Sequence, residues 1–221
     1  RSAASEGATD EIVTVSNAAD AITTLGIGAL DTDDIDVNFS RLVDGTANAL
    51  TVVSSAASLS ETVAMNDEET ITFNSADGAI SMATVSATDM TSLVLTGDNS
   101  VDLGTITAAS LATVNATGLA ATANGDFTAV MSSSTVAMTV TSNAATTHTG
   151  ILDITTGSGA DTITGTNNAD IIVSGDGADT VSGGAGVDKI TGGDGADTIT
   201  IGNALATSSA TVVADIIDGG D

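Results

Sequence analysis

Five aspartates in the last third of the sequence, Asp161, Asp170, Asp179, Asp188 and Asp197, stand nine residues apart, and Asp215 follows at twice that interval. In the clearest stretch, "SGDGADTVSGGAGVDKITGGDGADTIT" (174–200), each acid ends a glycine-rich phrase and opens an x-aliphatic-x phrase. Two positions after the acids stand Ile163, Ile172, Val181, Ile190, Ile199 and Ile217. The omitted beat would place its acid at Ala206 and its aliphatic at Ser208, so "IGNALATSS" is a degenerate unit, and the register is expected to continue through it to Asp215. Carboxylates among backbone carbonyls are hard oxygen ligands, and their natural partner is a cation.

A nine-residue unit of six turn formers and a three-residue strand can wind as half a coil. Glycine permits positive φ and close backbone approach, so the turn curls its carbonyls inward. The strand points its central aliphatic inward and its neighbours outward. Two units close an eighteen-residue coil, and stacked coils lie about 4.8 Å apart. Like charges then stack: Asp161, Asp179, Asp197 and Asp215 in one column, Asp170 and Asp188 in the other. Two carboxylates about 5 Å apart repel by roughly 1 kcal/mol in water and about 3 kcal/mol at an effective dielectric of 20. Calcium, with six to eight oxygens in flexible geometry, reverses that sign better than magnesium, which demands a tight octahedron.

The run from Thr156 to Thr200 resembles the nonapeptide repeats of RTX (repeats-in-toxin) proteins, whose units form a calcium-binding parallel β-roll. The resemblance implies several Ca2+ ions, each between loops one coil apart. The first loop gives its second and fourth carbonyls and its Asp; the next gives its first and third carbonyls and its Asp. Carried over, one site uses Gly157, Gly159, Asp161, Ser174, Asp176 and Asp179. A second uses Gly175, Gly177, Asp179, Gly192, Asp194 and Asp197. On the opposite edge, Thr166, Asn168, Asp170, Gly183, Ala185 and Asp188 make a third. A fourth takes Gly193, Gly195, Asp197, Ala210, Val212 and Asp215, although its second loop lacks the glycines. Thr166 and Asn168 depart from the pattern by replacing glycines, and Ala206 removes a partner beyond Asp188.

The rest of the chain must carry this array. It has 221 residues and a formal charge of −26, from 29 acids against Arg1, Arg41 and Lys189. Only 14% of residues are charged and mean hydropathy is +0.32, which excludes a solvated disordered acid. Three bases cannot neutralise a phosphate track, so nucleic acid is excluded as a partner. No apolar run reaches the roughly 18 residues of a membrane span. Cysteine is absent, so no disulfide or thiolate site exists; proline is absent too, which fits uninterrupted strand ladders. Beginning "RSAASEGATD" without Met and stopping at "DIIDGGD", the chain reads as an interior piece of something longer.

Three zones follow. Residues 1–60 form an acidic β segment; "TDEIVTV" resembles "ADTITI", so it reads as the end of a preceding roll. Residues 61–150 are a Thr/Ala/Ser-rich zone with strand candidates "ETITFNS", "TSLVLTG", "SLATVNATG" and "TVAMTVTSN", recurring at about 14 to 26 residues, as solenoid coils do. A β-solenoid and a β-sandwich both fit that zone. Residues 151–221 are the repeat region. The fold class is all-β: a parallel β-solenoid ending in the right-handed calcium-binding β-roll that the resemblance implies.

Asp31, Asp33, Asp34 and Asp36 could bind a further calcium or simply form a solvated strand edge. His148, the sole histidine, has no nucleophile or second base placed near it and reads as a surface-loop residue. No hydrolase elbow, zinc-protease helix motif or phosphate loop is present, so no enzyme is expected. Cys-free, aromatic-poor composition with RTX repeats resembles bacterial S-layer proteins, which implies a secreted, extracellular module exported by a type I system. Neighbouring copies of itself in a lattice or fibre, and cell-surface glycan or lipopolysaccharide, are the partners this implies. A stalk of a large RTX adhesin, or the folding module of an RTX enzyme or toxin, are the alternatives.

Overall fold

The computed structural model describes residues 11–19, 21–27, 35–41, 45, 47–54, 62–120, 125–202 and 216–220. Among them every regular element is a β-strand, and every pairing is parallel. Successive strands alternate between an eleven-stranded and a nine-stranded sheet, with Ile80–Ser81 and Thr84–Ser86 as two pieces of one rung. That is a β-solenoid, and it settles residues 62–120 and 125–150 against the antiparallel sandwich.

Alternation in the sequence sets which side chains enter the interior. Thr70–Asn74 buries Ile71 and Phe73, and Ser92–Gly97 buries Leu93 and Leu95, while the residues between them face out. Upstream coils are large: the step is 27 residues from Leu25 to Val52, 21 from Val85 to Ile106 and 26 from Val114 to Val140. They hold Phe73, Phe127, Met65, Met90 and Leu111 between the sheets. From Ile154 and Ile163 onward the step contracts to eighteen, through Ile172 and Ile190 on one sheet and Val181 and Ile199 on the other. Here the strands are short and Ile163, Ile172, Val181 and Ile190 alone fill the space, while Ile199 is partly buried.

One expectation fails after Ile201. Ile217 pairs with Ile190, 27 residues back, so Ile216–Asp218 joins the eleven-stranded sheet beside Lys189–Thr191. The strand after Asp215 therefore continues the register of Asp170 and Asp188, not that of Asp161, Asp179 and Asp197. The omitted beat carries Ser208 where the other units carry an aliphatic, so its sequence lacks the apolar side chain on which the other nine-residue steps rest.

A buried ion pair ties the upstream coils. Nε and Nη2 of Arg41 donate to the two carboxylate oxygens of Glu68 at 2.5 and 2.9 Å. Nη1 donates to the carbonyls of Ala19 and Ile22, Nη2 also reaches that of Ala49, and the guanidinium lies 5.2 Å from the Phe39 ring centroid. Carbonyls and a carboxylate converging from neighbouring coils are thus met by a cation the chain carries itself. The sheets differ in charge among the described residues. The eleven-stranded sheet contains Glu11, Asp36, Arg41, Asp102, Asp153, Lys189 and Asp218. No strand of the nine-stranded sheet contains a charged residue. Its outer face instead carries a file of hydroxyls in register: Thr70, Ser92, Thr113, Thr139, Thr162, Thr180 and Thr198.

Removing one partner of a buried ion pair strands the other charge, at a cost of about 3–5 kcal/mol. Arg41→Ala should lower urea stability of the calcium-loaded chain by that order, with Arg41→Lys between the two because it keeps the charge and loses the fork.

Candidate metal centre

The loops at the two edges of the eighteen-residue coils bring the repeated acids into columns. Asp161, Asp170, Asp179 and Asp188 are each 1% exposed, so burial and not surface display is their setting. Their Oδ1 atoms form a ladder. The amide of Asp161 donates to Oδ1 of Asp179 at 2.8 Å, that of Asp170 to Asp188 at 3.0 Å, and that of Asp179 to Asp197 at 3.0 Å. At the upstream ends Met138 N donates to Asp161 and Leu152 N to Asp170, both at 2.8 Å. One oxygen of each acid is therefore spent on a main-chain amide of the preceding coil. The other oxygen, Oδ2, of Asp161, Asp179 and Asp197 is buried and has no hydrogen-bond partner. Buried carboxylate oxygens left in that state are costly, and a cation held between the loops would satisfy them.

The first two candidate sets are assembled as stacked loops. A Cβ built on Gly175 or Gly177 would overlap the carbonyl oxygen of Gly157 or Gly159, and one on Gly193 or Gly195 that of Gly175 or Gly177. Glycine at the second and fourth places is thus required by the carbonyls directly above, and the φ values of +89° at Gly175 and +135° at Gly177 add to that requirement. Some of these carbonyls also bind protein donors. Gly157 O accepts from Asp176 N, Asp194 O from Gly177 N, Ser174 O from the Thr156 hydroxyl and Gly192 O from the Ser174 hydroxyl. A carbonyl has two lone pairs, so each retains one for a cation.

The third set is stacked as well. Gly184 lies against Thr166 O and Gly186 against Asn168 O, with Gly183 and Ala185 in the same loop as Asp188. Its carboxylates differ, because both oxygens of Asp170 already accept from Thr166, through N at 2.7 Å and Oγ1 at 2.8 Å. For the fourth set, the strand that follows Asp215, Ile216–Asp218, pairs with Lys189–Thr191 on the eleven-stranded sheet and not with the sheet of Asp197. Asp215, Ala210 and Val212 lie outside the described residues, as do Asp31, Asp33 and Asp34; Asp36 sits in the strand Ile35–Arg41, paired with Ile12. His148 is buried, not a surface residue, with Nδ1 3.2 Å from Ala120 O. Among the described residues no three His, Cys, Asp or Glu side chains converge on one point. The donor set is two carboxylates per interval plus backbone carbonyls, all oxygen, which fits calcium and not a nitrogen- or sulfur-seeking metal.

Burial pushes the Asp161, Asp170 and Asp179 carboxyls above their ordinary 3.8, against the pull of the hydrogen bonds each accepts. For Asp179 the neighbouring Asp161 and Asp197 push the same way. The folded, ion-free roll therefore binds protons more readily than the unfolded chain. The stability these three groups contribute is fully present below 3.8 and is lost as pH rises through the raised values. A proton and a divalent ion are alternative answers to the same stacked charge.

Residues 153–181 and 173–203 match the model of the RTX calcium-binding nonapeptide repeat (4 copies). No curated protein and no solved structure matches the chain.

Two outcomes follow. Gly177→Ala should raise the calcium concentration needed for folding, because the methyl overlaps Gly159 O and φ is unfavourable; a calcium titration followed by circular dichroism measures it. Dialysed free of metal, the chain should gain strand signal on acidification towards pH 4, whereas calcium affinity should drop over the same range.

Proposed function

With residues 153–203 assigned to RTX calcium-binding nonapeptide repeats, we propose that the chain is a calcium-dependent structural module of a secreted bacterial surface-layer or extracellular filament protein. The buried, partnerless Oδ2 atoms of Asp161, Asp179 and Asp197 carry this reading. The residues that would hold the ions are Asp161, Asp179 and Asp197 with the carbonyls of Gly157, Gly159, Gly175, Gly177, Ser174, Asp176, Gly192 and Asp194, and on the other edge Asp170 and Asp188 with those of Thr166, Asn168, Gly183 and Ala185. The repeat region, 151–221, is the module that folds with calcium; residues 61–150 are the scaffold it extends, and 1–60 its acidic opening segment. Because a site exists only in the folded chain, the free energy of binding becomes free energy of folding. Low calcium inside the cell leaves the roll unfolded for type I export; millimolar calcium outside closes it.

The charge distribution supports assembly. A chain of net −26 repels its copies everywhere except across a face without charge, and the hydroxylated face of the nine-stranded sheet is such a surface. Neighbouring copies, with cell-surface glycan or lipopolysaccharide at the boundary, are the partners proposed. No helix is long and apolar enough to cross a membrane among the described residues. In this reading the chain performs no catalysis.

Strand signal of the chain should rise cooperatively with calcium, with a midpoint on the order of 10⁻⁴–10⁻³ M, and fall with chelator; an unchanged spectrum would refute the module. Negative-stain microscopy in calcium should show sheets or fibres, and isolated rods would favour an adhesin stalk instead. Thr113→Glu with Thr162→Glu should abolish assembly, read by light scattering, while leaving the calcium midpoint within about twofold, since surface changes cost little.

A further inference from the structure

On the second edge, the loop one coil before Asp170 is 147–152, and the pairing of Asp153 with Ile171 places Leu152 over Asp170, Gly150 over Asn168 and His148 over Thr166. Leu152, buried, therefore stands where a column acid would be. The carbonyls of His148 and Gly150 hold the second and fourth places of that loop, the places that face an ion elsewhere in the roll. Both accept from one atom, Nδ2 of Asn168, each at 2.9 Å.

We propose that the Asn168 side-chain amide takes the place of a calcium ion between loops 147–152 and 165–170, so that the roll's ion column on this edge is closed at its upstream end by the protein itself. A primary amide has two N–H donors, and two carbonyls are presented to it. It carries no charge, and Leu152 removes the carboxylate that a divalent ion would otherwise balance. Glycine is needed at the fourth place where the stacked carbonyl leaves no room, as at Gly177 beneath Gly159 O; here a side chain fills the interval instead. Asn167 adds a donor of the same kind, from Nδ2 to Ala144 O. The acid below is satisfied accordingly. Both oxygens of Asp170 accept protein hydrogens, from Leu152, Thr166 N and Thr166 Oγ1, whereas Asp161, Asp179 and Asp197 each keep Oδ2 without a partner. The joint between large and small coils is thus locked without metal, and it offers calcium-driven folding a formed edge on which to begin.

The inference rests on calcium binding by the roll, and the test separates the two. Equilibrium dialysis with radioactive calcium is run on the whole chain and on the double variant Leu152→Asp/Asn168→Gly, which restores the acid and opens the interval. Binding of one more ion per chain by the variant supports the amide as a surrogate; equal or lower stoichiometry, with strand signal retained in calcium, overturns it. Absence of binding by the unaltered chain would instead sink the proposed function. If the double variant does not fold in calcium, Asn168→Ala decides by hydrogen exchange in the metal-free state. Exchange over 148–155 accelerated tenfold or more supports the plug, and unchanged exchange overturns it.

Discussion

In the eighteen-residue coils, parallel stacking in register sets like groups above one another, so carbonyls at a turn face carbonyls and the acids of successive repeats face acids. Strand ladders absorb the main-chain groups of the flat faces, but the turns have no ladder. At this spacing the chain must place something electropositive in each interval or separate the coils. The same need is met in three ways along the molecule. Arg41 brings a guanidinium to Glu68 and three carbonyls, Asn168 brings an amide to two carbonyls, and the aspartate columns leave oxygens for an ion.

Coil size decides which answer suffices. Upstream coils step by more than twenty residues and enclose Phe73, Leu93, Leu95, Phe127 and several methionines. In the roll one aliphatic per half coil is buried, worth about 1.5–3 kcal/mol. The repulsion between adjacent rungs, roughly 1–3 kcal/mol, is of the same size. A core so thin cannot overcome the columns unaided, which is why the aliphatic and the ion occur in the same nine-residue unit.

The solenoid and the columns were legible because a period is visible without any contact being known: Ile163, Ile172, Val181 and Ile190 had to point inward if the Asp beat was a half coil. The N-terminal pairing of Arg41 with Glu68 was not, since the two stand 27 positions apart, across the strands Ala49–Ser54 and Thr62–Ala64, and no periodicity links them. The rung of Ile217 was misread for a different reason: counting by nines carries one register across "IGNALATSS", whereas Ile217 pairs with Ile190 on the other sheet. His148 shows the limit of composition: nothing in "ATTHTG" announces that Ala120 O waits across the coil. The Asn168 amide had a signal, the loss of glycine at a fixed place, but its meaning needed the carbonyls above it.

The Oδ1 ladder has a direction. The main-chain hydrogens of Asp161, Asp170 and Asp179 are each received by the acid eighteen residues further on. Along these columns each course is capped and completed by the one that follows it in the chain. Erosion in the absence of ions therefore starts from the C-terminal lip.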